Sequence, residues 1–185
     1  QADIEKYGMN VDWQRTGMLN VATEAHQVPW LREAAAAGEG RFLDRGQVRS
    51  EVDSPTYLAG LFAADTCAIV DPARLVFELA RACTEKGVRI HEYTDARAIT
   101  TEAGGVAVTT AAATITAQRV VLATNVFPSL LRRNRLHTVP VYDHVLGTEP
   151  LTSEQLGRIG WRSRQGIGDS GNQFHYYRLS ADNRI

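Results

Sequence analysis

Between Arg119 and Ala123 the chain reads RVVLA, a nearly unbroken apolar run. A strand with one wet face alternates apolar and polar residues, so a continuous run points to a strand buried on both faces of a parallel sheet. The preceding sequence supports that reading. Asp71 is placed as an N-cap, Pro72 at the first helical position and Gly87 as the stop of a helix. On it Leu75, Val76, Leu79, Ala80 and Cys83 recur along one face, with Arg74, Glu78, Arg81 and Glu85 on the other. A strand is predicted over Val88 to Tyr93. Short strands then follow at Ala96 to Thr100, Val106 to Thr110 and Thr114 to Ala117, with a turn at Gly104-Gly105, as in a β-meander. Ligands of parallel sheets sit beyond the carboxyl ends of the strands, which marks Thr124 and Asn125.

The flanks have a different texture. After a turn at Thr16-Gly17 comes an apolar strand, Met18 to Ala22, and Thr23 is a plausible N-cap for a helix from Glu24 to Ala37. Pro29 either kinks that helix or marks its true start, and Gly38 and Gly40 end it. A second helix is predicted over Asp44 to Val52, capped at Asp44. Ser54, Pro55 and Gly60 mark a loop into Leu61 and Phe62. Thr138 to Gly147 and Gln173 to Leu179 read as long strands of antiparallel sheet, separated by a short helix near Ser153 to Ile159. The expected class is α/β with α+β character, in three segments at residues 1–60, 61–135 and 136–185.

Composition excludes several partners. The 185 residues hold 20 basic and 21 acidic side chains, a net charge of −1 that leaves no excess to neutralise a phosphate backbone. Two cysteines, Cys67 and Cys83, cannot make a disulfide scaffold, and both read as structural. No apolar run reaches membrane-spanning length and no signal sequence is visible, so a cytoplasmic protein is expected. The chain opens on Gln1 within what reads as the tail of a helix (ADIEKY) and closes where a strand is expected to start, so an internal fragment is expected.

The visible chemistry is sparse. Gly166, Gly168 and Gly171 (GIGDSG) spell G-x-G-x-x-G, but a dinucleotide cradle needs a strand before the glycines and a helix after them. Here the flanks are WRSRQ and QFHYYRL, and a loop is expected. None of the five histidines pairs with another, or with a cysteine, at metal-ligand spacing, so no metal site is expected. His175 and Tyr177 share one face of a predicted strand, opposite Tyr176 and Arg178, and are the candidate substrate-pocket residues. No catalytic triad or nucleophile elbow is present, and no catalytic residue is assigned.

Taken in order, several blocks carry a likeness: TGMLNVAT at 16–23, GLFAADTCAIVDPARLVFELARACTEKGVRIHEYTDARAI at 60–99, RVVLATNVFPSLL at 119–131, VPVYDHVLGTEPL at 139–151 and FHYYRLSADNRI at 174–185. Together they resemble the FAD-dependent oxidoreductases of the D-amino-acid oxidase superfamily, in particular the glycine, sarcosine and gamma-glutamylputrescine oxidase-like group. The resemblance implies part of an FAD-binding, Rossmann-like domain (61–135) interleaved with an antiparallel substrate domain (1–60 and 136–185). It implies that the dinucleotide-binding strand and helix would lie upstream of Gln1.

The same likeness implies FAD as cofactor and oxidation of the carbon–nitrogen bond of an amine or amino acid by hydride transfer to the flavin. It places Ala96, where the family often has valine, at a backbone contact with the adenine end. Ala123, Thr124 and Asn125 would pass close to the cofactor, Asn125 standing where glycine is more usual. The fragment alone is expected to bind FAD weakly or not at all and to be inactive. Two other readings stand beside this one: a noncatalytic subunit or binding module of the same fold, and an unrelated α/β enzyme using another nucleotide.

Overall fold

The computed structural model describes residues 1–185, the side chain of Arg135 excepted. Residues 1–85 and 146–185 form one compact unit and residues 86–145 a second. The long helix after Asp71 groups with the first unit.

The first unit opens with helix α1 (Ala2–Lys6) and strand β1 (Met18–Ala22). A 3₁₀ turn, Ala25–Gln27, then leads into α2 (Val28–Ala36). The expected cap at Thr23 is corrected here: Oε1 of the buried Gln27 accepts from the N–H groups of both Thr23 (2.9 Å) and Glu24 (3.1 Å). Pro29 sits in the first turn of α2, so it marks the start and does not kink the helix. After β2 (Arg41–Leu43), Asp44 caps α3 (Arg45–Glu51) as expected. Its Oδ1 accepts from Gln47 N–H at 2.9 Å, while Gln47 Oε1 accepts from Asp44 N–H at 3.0 Å. Two otherwise orphaned donors are thus satisfied reciprocally.

Strand β3 (Ala59–Ala63) is followed by α4 (Pro72–Glu85), which starts and stops where expected. Asp71 Oδ1 accepts from the N–H groups of Ala73 and Arg74 at 2.9 and 3.1 Å, and Gly87 adopts φ 85°. The face it buries is only partly the expected one, since Leu75 belongs to the expected stripe and Ala82 does not. Ala82 and Leu75 pack against Met9, Val11, Ile4, Tyr7 and Val70, whereas Val76 is 62% and Phe77 73% exposed. Leu79 and Cys83 are exposed as well.

The second unit is a three-stranded antiparallel meander of β4 (Ala98–Glu102), β5 (Gly105–Thr109) and β6 (Thr114–Ala117). The strands expected at Val88 to Tyr93, Arg119 to Ala123 and Thr138 to Gly147 are not formed. Val121 and Val139 lie exposed instead. Strands of a parallel sheet exist only by pairing with neighbours, and among the described residues none lies beside them.

Back in the first unit, α5 (Ser153–Ile159) is capped by Thr152 and ends at Gly160 with φ 72°. It precedes β7 (Gly166–Asp169) and β8 (Tyr176–Tyr177), so the long strand expected over Gln173 to Leu179 is reduced to two residues. These complete a five-stranded sheet in the order β2-β3-β1-β7-β8. It is mixed, not antiparallel as expected, since β1 and β7 run parallel with Leu19 opposite Ile167. One face carries the main core of Leu19, Val21, Leu43, Val48, Val52, Tyr57, Trp161, Ile167 and Leu179. On the other face α2 covers Ala22, Ala59 and Leu61 through Leu31.

Candidate functional site

The two ends of GIGDSG part company in the structure. Gly166 to Asp169 form β7 and the remainder turns toward β8, so the loop expected there is half strand; no helix follows Gly171 before β8 among the described residues. The turn is pinned by Asp169, whose Oδ1 accepts from Gly171 N–H at 3.0 Å and whose Oδ2 lies 2.7 Å from His175 Nδ1. Asp169 and His175 are also joined through the backbone, Asp169 N–H donating to His175 C=O at 3.0 Å. Burial pushes the Asp169 carboxyl up, but the His175 side chain and the backbone of Gly171 and His175 outweigh it and hold the group below its ordinary range.

The candidate pocket residues meet this carboxylate on one side of the sheet. Register places Tyr177 opposite Ile167 and Tyr176 opposite Gly168, so Tyr177 lies on the core face. Its ring meets Trp161 edge-on, with centroids 6.0 Å apart, and its hydroxyl is hydrogen-bonded to that of Tyr57. Burial first, then the Tyr177 hydrogen bond and the charge of Asp169, hold the Tyr57 phenol protonated far above its usual range. Burial likewise raises Tyr177, the Tyr57 hydrogen bond opposing. His175 is exposed (76% of its side chain) while its partner Asp169 is only 12% exposed. The result is a polar cluster in which an accessible imidazole rests on a shielded carboxylate, beside a pair of neutral phenols.

The opposite side of β8 carries different groups. Phe174 and Tyr176 pair with ring centroids 5.8 Å apart. Next to Tyr176, Gly168 lies against Met18 and Asn20, where an added Cβ would stand 2.9 Å from Met18 Cε. Arg178 follows β8 directly. Its Nη1 donates to Val70 C=O at 2.5 Å, just before α4.

The candidate cofactor residues lie in the second unit. Ala96, Ala123, Thr124 and Asn125 are all exposed. Thr124 C=O accepts from Phe127 N–H at 3.1 Å, closing a turn in which Asn125 adopts φ 52°. Asparagine is among the few non-glycine residues that tolerate this left-handed conformation. The backbone of this turn is open to its surroundings, with Ala123 and Thr124 as small side chains beside the exposed Val126 and Phe127. Among the described residues no group of three or more His, Cys, Asp or Glu could hold a metal ion.

Sequence reasoning missed Tyr57, Trp161 and Asp169. Asp169 lay inside a glycine run read as loop, and nothing local links Tyr57 to Tyr177, 120 positions away.

The family model described as FAD dependent oxidoreductase matches residues 2–185. A probable oxidoreductase OrdL of Haemophilus influenzae is 29% identical over 98% of the chain and 44% of its own length. A gamma-glutamylputrescine oxidoreductase of Escherichia coli is 30% identical over 98% of the chain and 44% of its own length. The chain therefore spans less than half the length of these curated relatives. Among solved structures, glycine oxidase from Geobacillus kaustophilus superposes with a TM-score of 0.71 at 16% identity, over 99% of this chain and 50% of that one. L-proline dehydrogenase from P. horikoshii gives 0.72 at 18% identity, over 98% and 50%. These two establish a shared fold.

Proposed function

Since the chain belongs to the FAD-dependent oxidoreductase family, we propose that it serves oxidation of the carbon–nitrogen bond of an amine or amino acid. The observation that carries this reading is the family match across residues 2–185, which sets aside an unrelated nucleotide enzyme. A relative named for gamma-glutamylputrescine supports a substrate of that class. FAD, when bound, supplies the hydride acceptor. Ala96, Ala123, Thr124 and Asn125 would meet it through their backbone, with residues 61–135 belonging to the flavin domain and the flanking segments to the substrate domain.

In this reading His175 and Tyr177 belong to the substrate pocket. β8 is the last strand in the sheet's order, so a molecule along its outer edge can reach side chains from both of its sides. Asp169 Oδ2 fixes the Nδ1 side of the exposed His175 ring, which leaves Nε2 for a ligand. Tyr177, tied to Tyr57, gives the pocket a rigid wall. No helix among the described residues is long and apolar enough to cross a membrane. Two cysteines without a disulfide support a reducing, cytoplasmic location.

The test is a substrate screen of amines and amino acids with the protein expressed from its full reading frame, reading flavin reduction anaerobically. Reduction by at least one of them is expected, slowed in His175→Ala and Tyr177→Phe. If no amine or amino acid reduces the flavin, the function falls. Unchanged turnover in both variants removes the two residues and leaves the function standing.

A further inference from the structure

We propose that the cavity between α5 and the loop that follows it binds a small organic anion, an apolar body carrying a carboxylate or phosphoryl group. The cavity measures about 370 Å³, within the range of small-molecule sites. Leu156, Trp161 and Leu179 give it an apolar wall, and Arg162 and Arg164 a cationic one. None of its lining residues is acidic. Among the described residues no carboxylate lies within ion-pair distance of either arginine, whereas Arg158 of the same helix is neutralised by Glu154.

The loop 161–165 carries local costs that its own packing does not explain. Arg164 has φ 50°, a left-handed conformation that an arginine rarely adopts. Its side chain is held by two neutral acceptors, Nη1 donating to Asn183 Oδ1 at 2.9 Å and Nη2 to Ser180 C=O. Those bonds fix the plane of the guanidinium and leave its other N–H groups for a ligand. Next to it, Gln165 is fully buried, and its Nε2 and Oε1 have no partner among the described residues. Its C=O accepts from Trp161 Nε1 at 3.1 Å, which ties it to the aromatic wall. Strained backbone and unpaired polar groups persist where a site over-determines them. One opposing charge is present. The C-terminal turn of α5 reaches the cavity through Gly157 and Gly160 and contributes at most about half a negative charge, which two full positive charges outweigh.

Titration calorimetry on the protein expressed from its full reading frame tests this, with phenylacetate, phenyl phosphate, benzyl alcohol and inorganic phosphate as probes. Phenylacetate, phenyl phosphate or both are expected to bind at one saturable site, and the tighter of them identifies the anion. Benzyl alcohol lacks the charge and inorganic phosphate the apolar body, so each should bind at least about tenfold more weakly. Arg162→Gln, at an exposed position, should raise Kd for the organic anion about 10- to 100-fold. A Cβ added at Gly157 meets no atom within 4 Å, so Gly157→Phe can fill the cavity and should abolish binding. Both variants should keep the wild-type Tm. An organic anion that binds both variants as it binds wild type sits elsewhere and overturns the proposal, as does the absence of saturable binding at millimolar concentration. Inorganic phosphate binding as tightly as phenyl phosphate would overturn it too, because an exposed cationic patch accounts for that without a cavity. If one variant does not fold, the other decides by the same comparison.

Discussion

The contact between the Tyr57 and Tyr177 hydroxyls joins residues 120 positions apart in a largely apolar setting. Removing either hydroxyl strands the other, which costs about 1–3 kcal/mol, whereas removing both restores consistency. Tyr57→Phe and Tyr177→Phe should therefore each destabilise, and the double variant should cost less than their sum. A urea-unfolding cycle with strictly additive losses would show that the two hydroxyls do not couple. Asp169 makes a second prediction, in pH. Its folded pKa is depressed, so its contribution is present above the ordinary carboxyl value and fades as pH falls through the folded one. The stability difference between wild type and Asp169→Asn should be flat above about pH 5 and shrink below about pH 4; a difference that grows in acid contradicts the assignment. Neither residue's role was legible in the sequence. Alternation correctly put His175 with Tyr177, but the partners arrive from β7 and from the loop before β3, and only tertiary register brings them together.

At the scale of elements, legibility followed the reach of the interactions. Helices α3 and α4 begin where their caps predicted, because a cap is a contact within four residues. The meander β4-β5-β6 was readable for the same reason, its turns being local. The run Arg119 to Ala123 was not: its composition asks for strand neighbours on both sides, and hydrogen bonding to such neighbours is what makes a strand. The expected apolar stripe of α4 is real as composition, yet the structure buries Ala82, half-buries Leu75 and leaves Val76 and Phe77 outside. One turn joins the elements of the mixed sheet tightly enough to test. Gly17 has φ 73°, donates to Cys67 C=O and accepts from Gly166 N–H, both at 3.3 Å. A Cβ there would stand 2.8 Å from the Ala63 carbonyl oxygen and 2.9 Å from Ala64 Cα, both backbone atoms that cannot swing away. Gly17→Ala should lose more than about 1 kcal/mol, and Gly8→Ala, with positive φ but open space, should lose less. Equal thermal shifts for the two would remove the packing argument and leave only backbone strain.

For the whole molecule, the same distinction separates fold from cofactor binding. The polar cluster around Asp169 and the aromatic edge of β8 belong to the unit of residues 1–85 and 146–185, while the proposed cofactor turn at Ala123 to Asn125 belongs to residues 86–145. Tight dinucleotide binding needs backbone N–H groups at a helix N-terminus aimed at the pyrophosphate. Within these residues the only G-x-G-x-x-G places its first two glycines inside β7 and is followed by β8, not by a helix. The 185-residue chain by itself is therefore expected to purify colourless and to keep no stoichiometric flavin after gel filtration with added FAD. Val76, Phe77 and Leu79 should at the same time make it bind a hydrophobic dye, and replacing Phe77 and Leu79 by serine should lower that signal without lowering Tm, since neither side chain contributes to a described core. A yellow chain with one flavin per molecule would mean that the phosphate cradle is dispensable.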